Sequence, residues 1–171
     1  MSRKILLTSF DTWEPHQKSN SSDDLIAAIL QREQLPDNLY FLRKLPVDFQ
    51  LAPEKTIAHI NQLKPDIIIC CGMAESRKTL SIESNAKAED KVLTPSIDIA
   101  RLIAGLSVTE ISHDAGKFVC NSLYYSVLKL IHEMKLNSQC LFIHVPILTE
   151  ANLEQVVREF LLILQRLPDL K

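Results

Sequence analysis

The chain has 171 residues, 46% of them hydrophobic and 23% charged, which is enough apolar material for a sizeable core and predicts one globular domain over residues 1–171. A net charge of −2 supplies neither the basic footprint that nucleic acid needs nor a polybasic membrane anchor. No apolar run is long enough to cross a bilayer or to act as a signal h-region, so the expectation is a cytoplasmic protein with neither nucleic acid nor membrane as partner. In that setting the four cysteines, Cys70, Cys71, Cys120 and Cys140, are expected to be reduced. They form no CxxC pair, which argues against a zinc site. Only three glycines are present, and that scarcity excludes both glycine-rich phosphate loops, GxGxxG and GxxxxGK[ST].

In chain order, Lys4 to Phe10 reads as a strand buried on both faces. A polar loop, Asp11 to Lys18, follows and carries the only tryptophan, Trp13. Asn20, Ser21 and Ser22 offer N-caps, with Asp23 and Asp24 in the first turn of a helix to about Gln31. Leu39 to Leu45 is a second strand, closed by Pro46. A helix starts at Pro53, buries Ile57, Ile60 and Leu63, and ends at Pro65. Asp66 to Cys71 is the clearest strand, rich in β-branched residues and stopped by Gly72; its adjacent cysteines should point to opposite faces. From Met73 to Leu93 apolar periodicity lapses, an excursion that is functional or disordered when it occurs inside a compact domain. Thr94-Pro95 predicts a helix to Ala104.

A short alternating run, Ser107 to Ser112, then leads into Ser112-His113-Asp114-Ala115-Gly116-Lys117-Phe118-Val119-Cys120-Asn121. Beyond Cys120, the residues Leu123, Val127, Leu130, Ile131 and Met134 fall at helical spacing. Gln139 to Val145 is a strand broken by Pro146, and Glu150 to Leu167 is an amphipathic helix. Strands alternating with helices predict a three-layer α/β/α sandwich around a mostly parallel sheet.

Cys120 thus falls where a strand hands over to a helix, in the helix's first turn. Unpaired N–H groups and the positive end of the dipole there favour a thiolate and could receive an oxyanion. A free cysteine in such a place is also an ordinary core residue. Glu83 and His144 lie after or within two other strands, and parallel strands are expected to deliver all three groups to one sheet edge. A thiol, an imidazole to take its proton and a carboxylate to hold the imidazole's tautomer constitute a nucleophilic site. Taken singly, His144 reads as a satisfied core histidine and Glu83 as a solvated loop charge.

At these residues the chain resembles the pyroglutamyl peptidase I family, the pyrrolidone carboxyl peptidases. The resemblance rests on Ala-Gly-x-Phe-Val-Cys-Asn (Ala115 to Asn121) and Phe-Ile-His-Val-Pro (Phe142 to Pro146). Upstream it takes in Lys64 to Ile69, Gly72-x-Ala74-x-x-Arg77 and Ser81-Ile82-Glu83. Thr8 to Asp11 and Leu45-Pro46-Val47 extend it to nearly the whole chain. The resemblance implies a cysteine exopeptidase that removes an N-terminal pyroglutamyl residue through a thioester acyl-enzyme. Cys120 would be the nucleophile, His144 the general base and then acid, and Glu83 the orienting carboxylate. Phe10, Trp13, Met73 and Phe118 would bind a peptide or small amide substrate. The resemblance implies no metal and no organic cofactor, and a homo-oligomer.

The chain departs from the family at several points, an expected shortening of the C-terminal end among them. Thr12-Trp13-Glu14-Pro15 replaces Pro-Phe-Gly-Gly, Met73 stands where other members carry Gln or Leu, and the Asp-Ala-Arg-Ile-Pro-Asp-Asn tract is missing. Two alternatives therefore stand beside the first reading, a related thiol amidohydrolase of altered specificity and a non-catalytic binding protein on the same scaffold.

Overall fold

Uninterrupted apolar runs make the central strands. β1 (Ile5–Phe10), β3 (Ile67–Met73) and β8 (Gln139–Val145) are buried along their whole length, as a sheet covered on both faces requires. The computed structural model, which describes residues 2–32 and 35–170, joins them with β2 (Leu39–Leu45), β4 (Leu80–Glu83) and β7 (Thr109–Ser112) in the order β2-β1-β3-β8-β4-β7. The β1–β2, β1–β3, β3–β8 and β4–β7 pairs are parallel. β4 runs antiparallel to β8. The sheet is mostly parallel, as expected.

Side-chain alternation along the strands separates two cores. Ile5, Leu7, Ile69, Cys71, Leu141 and Ile143 face α1 (Ser21–Leu30) and α5 (Leu153–Arg166), which contribute Leu25, Ile29, Val156 and Phe160. Leu6, Phe10, Ile68, Cys70, Cys140 and Phe142 face α2 (Leu51–Leu63) and α4 (Val119–Glu133), which contribute Ile60, Leu123 and Val127. The result is the three-layer α/β/α arrangement, with Cys70 and Cys71 on opposite faces.

Three sequence expectations change. The stretch after Met73 is not structureless: it holds β4 and a small antiparallel hairpin of β5 (Ala86–Ala88) and β6 (Lys91–Leu93). In β4, Leu80 and Ile82 alternate with Ser81 and Glu83, a two-faced strand too short for periodicity to register. The helix expected from Thr94 shrinks to α3 (Ile99–Leu102), because Asp98 is the residue that caps it, its Oδ1 accepting Arg101 N–H at 3.0 Å. Gly72 does not stop β3 but lies within it. The predicted cap of α1 is present, with Asn20 Oδ1 accepting Ser22 N–H at 3.1 Å. Among the described residues no helix is long and apolar enough to cross a membrane.

Candidate active site

Strand phase brings the imidazole and the carboxylate together. Ser81 lies opposite His144, and Ile82 opposite Ile143. Ile82 and Ile143 belong to the α1/α5 core, so Ser81, Glu83 and His144 point to the other face, towards α4. There His144 Nδ1 meets Glu83 Oε1 at 2.6 Å. An ionised carboxylate only accepts, so Nδ1 carries the proton and Nε2 is left as the basic nitrogen. Glu83 is fully buried and His144 nearly so, at 0% and 6% exposure. Burial pulls the Glu83 carboxyl up, but the hydrogen bond of His144, the nearby Ser112 hydroxyl and the charges of His144 and Arg77 outweigh it and hold its pKa below the usual 4.5. The Tyr124 hydroxyl donates to the Glu83 carbonyl at 3.1 Å, and the Phe142 ring leans on the imidazole with centroids 4.9 Å apart.

Glu83 is therefore neither a solvated loop charge nor delivered by a parallel strand. It ends a buried strand antiparallel to β8, and β7, parallel to β4, likewise runs against β8. Glu83 reaches the site because it shares a sheet face with His144, and the thiol arrives through the loop that follows β7.

Cys120 occupies the first turn of α4, as expected, and Phe118 at the N-cap provides no side-chain hydrogen bond. First-turn N–H groups thus lack a side-chain acceptor. The thiol presses on β3: a Cβ built on Gly72 would lie 2.7 Å from Cys120 Sγ and 2.8 Å from Phe142 Cζ. Only a residue without a side chain leaves the sulfur this berth, which explains glycine inside a fully buried strand. Next along the chain, the Asn121 amide accepts from Lys87 N–H at 2.9 Å and donates to Lys87 O at 2.6 Å, tying the start of α4 to the β5 hairpin.

The thiol is not readily ionised in this resting state, contrary to the expectation from its helix position. Burial pushes its pKa up from 9.0 to about 12; Cys70 and Glu83 add to the rise, and its own backbone N–H and Arg77 oppose it. Desolvation of the half-buried sulfur acts against the pull of the helix terminus.

Cys120 and His144 open together into a cavity of about 510 Å³, which Phe10, Trp13, Met73 and Phe118 also line. Six of the seven residues singled out from the sequence thus meet in one space, and Glu83 stands behind His144. Phe10 is buried and Met73 nearly so, whereas Trp13 and Phe118 are exposed at the mouth, at 43% and 71%. The Trp13 loop is held in place by Gln17, which accepts from Trp13 N–H at 3.0 Å and donates to Glu75 at 2.7 Å. His16 Nε2 lies 3.2 Å from the same Glu75 carboxylate.

Sequence reasoning assigned no role to Gln17, Glu75, Arg77 or Asn121. Arg77 closes the Gly72-x-Ala74-x-x-Arg77 motif, and Asn121 follows the cysteine directly; those placements were the available signals. Among the described residues no group of three or more His, Cys, Asp or Glu is placed to hold a metal ion.

A thiol, an imidazole and a buried carboxylate around one cavity of an α/β/α scaffold are the equipment of a cysteine peptidase. Residues 3–103 and 97–159 match the family described as Pyroglutamyl peptidase, and the chain belongs to that family. It is 30% identical to Pyrrolidone-carboxylate peptidase 1 of Caldanaerobacter subterraneus subsp. tengcongensis, over 89% of this chain and 86% of that protein. It is 31% identical to the Pyrrolidone-carboxylate peptidase of Brachyspira hyodysenteriae, over 89% and 87%. The fold is shared with pyroglutamyl peptidase I from Bacillus amyloliquefaciens, at a TM-score of 0.81 and 21% identity over 95% of this chain and 93% of that one. It is also shared with pyrrolidone carboxyl peptidase from Fervidobacterium islandicum AW-1, at 0.82 and 18% over 99% and 100%.

Proposed function

We propose that the protein is a cysteine exopeptidase that removes an N-terminal pyroglutamyl residue from peptides, with Cys120 as nucleophile, His144 as general base and acid, and Glu83 as the carboxylate that orients His144. The observation that carries this reading is the 2.6 Å contact of His144 Nδ1 with the buried Glu83 carboxylate, beside a thiol that opens into the same cavity.

A neutral resting thiol requires a base. His144 Nε2 takes the Cys120 proton as substrate enters, and the buried Glu83 charge stabilises the imidazolium that forms. The sulfur then attacks the pyroglutamyl carbonyl carbon, and the oxyanion is received by N–H groups of the first turn of α4. The C–N bond breaks, the amine leaves with the proton held on His144, and a thioester remains. Water, deprotonated by His144, attacks the thioester carbon; pyroglutamate departs and the proton returns to sulfur. Phe10 and Met73 give the lactam ring apolar walls, while Trp13 and Phe118 at the mouth meet the residue that follows the scissile bond.

The test is hydrolysis of a fluorogenic pyroglutamyl amide by the purified protein, with and without Cys120→Ala. Turnover by the parent chain and a fall of at least roughly 10⁴-fold in the variant are expected, the scale on which loss of a catalytic nucleophile is felt. A parent chain that leaves the amide intact, or a variant that keeps its rate, overturns the reading.

A further inference from the structure

We propose that Arg77 is a positioning residue of this site, holding the Glu83 carboxylate and the Asp114 carbonyl with one guanidinium so that imidazole and thiol are set by the same side chain. The inference rests on the peptidase reading and extends it to a residue that the nucleophile, the base and the orienting carboxylate leave out.

Arg77 lies in the loop between β3 and β4. Its Nη1 donates to Glu83 Oε1 at 2.7 Å, the oxygen that His144 Nδ1 also meets at 2.6 Å. Its Nη2 donates to Asp114 O at 2.9 Å. Glu83 Oε2 is buried without a hydrogen-bond partner, so the orientation of the carboxylate is set by what meets Oε1, and Arg77 is one of its two partners.

Asp114 belongs to the loop that ends at the N-cap of α4. It is folded back on itself, Ser112 Oγ donating to Asp114 O at 3.3 Å and Gly116 N–H to Asp114 Oδ1 at 3.0 Å. A planar fork with donors in fixed directions can brace two acceptors on different segments at once, which the single ammonium of a lysine does less well. Arg77 also lines the cavity, so substrate entering beside it meets a brace already in place.

The groups facing Glu83 are few. His144 comes from β8, Cys120 and Tyr124 from α4, Ser112 from β7, and Arg77 from its own loop. Glu110 on β7 lies opposite Ser81 and takes its hydroxyl at 3.4 Å. Arg77 is the permanent cation of this set. Removing it raises the pKa of Glu83, so the carboxylate is lost at a higher pH as the solution is acidified.

The experiment compares Arg77→Met and Arg77→Lys with the parent chain in three readouts: thermal unfolding, pH profiles of kcat/KM on a pyroglutamyl amide, and the pH dependence of Cys120 alkylation by iodoacetamide. For Arg77→Met the expectation is a loss of roughly a hundredfold, mostly in kcat, on the scale of a misplaced catalytic group. The acid limb should move to higher pH in both profiles, and Arg77→Lys should restore the limb and part of kcat. A folded Arg77→Met with parental kcat/KM and an unmoved limb overturns the proposal. So do equal losses in both variants with the limb unchanged, which would mark a merely structural arginine. Should Arg77→Met fail to fold, the comparison of Arg77→Lys with the parent decides, and an identical acid limb and kcat overturn it. A parent chain inactive on the amide would defeat the peptidase reading, while the alkylation profiles would still judge Arg77.

Discussion

Two buried glutamates show how the same side chain serves two ends. Glu159 on α5 is 2% exposed and Glu83 on β4 is fully buried, and both are held ionised below the usual 4.5. Their partners differ. Both oxygens of Glu159 are occupied: Ser107 N–H at 2.7 Å, Ser107 Oγ at 3.0 Å, Val108 N–H at 3.0 and 3.1 Å, and Thr109 Oγ1 at 2.7 Å. These are groups that do not titrate near neutrality, and they lock the entry of β7 to the outer helix. Glu83 instead receives a titratable ring and a guanidinium on one oxygen and leaves the other bare. A buried carboxylate whose oxygens are filled by backbone N–H groups and hydroxyls is a clasp, whereas one bonded to an imidazole can answer to a proton.

Removing the charge from each should split activity from stability. Glu83→Gln is expected to lower kcat on a pyroglutamyl amide by roughly 10²- to 10⁴-fold, because a neutral amide neither holds the tautomer nor stabilises the imidazolium; steady-state kinetics on the folded variant measures it. A loss under tenfold would erase the distinction.

Glu159→Gln is expected to lower unfolding free energy by about 1–3 kcal/mol, since an amide NH₂ would face donors that need an acceptor. Its kcat should be unchanged; urea unfolding and the same kinetics check both.

The smallest effect is in the acid range. A carboxylate with a depressed folded pKa stabilises above its unfolded value and loses that contribution as pH falls through its folded value. The stability gap between the parent chain and Glu159→Gln should therefore be constant above about pH 4.5 and narrow below it. A gap that widens on acidification would mean that Glu159 is held protonated rather than ionised.

The sequence carried the scaffold well where runs were long. β1, β3, β8, α1 and α4 fall within a residue or two of expectation, because each has either an unbroken apolar run or a sustained helical stripe. β4 was illegible for the opposite reason: four residues, half of them polar, carry no period. The candidate residues were found by type and by resemblance, whereas the meeting of Glu83 and His144 follows from strand phase rather than from the parallel strand ends that sequence reasoning invoked. The resting state of the thiol was also missed, since a helix start can be read from residue order but the desolvation around a sulfur cannot. Glu159 gave no warning either: it sits among Val156, Val157, Phe160 and Ile163 on the apolar side of α5 and is explained only by the strand it holds.

The phase of β4 restricts how the chain can vary. Residues 74–79 and 84–98 lie outside the central sheet, so insertions and deletions there leave the phase of β4 intact but displace Arg77 or the hairpin that holds Asn121. A single-residue slip within Leu80–Glu83 is different, because it would exchange the two faces of the strand. The carboxylate would turn into the Leu, Ile and Val side chains beneath α1 and α5, and a leucine or isoleucine would face the imidazole. Length can therefore vary on either side of these four residues only where Arg77 and Lys87 keep their partners, while registration against β8 has no neighbouring alternative that keeps the pair.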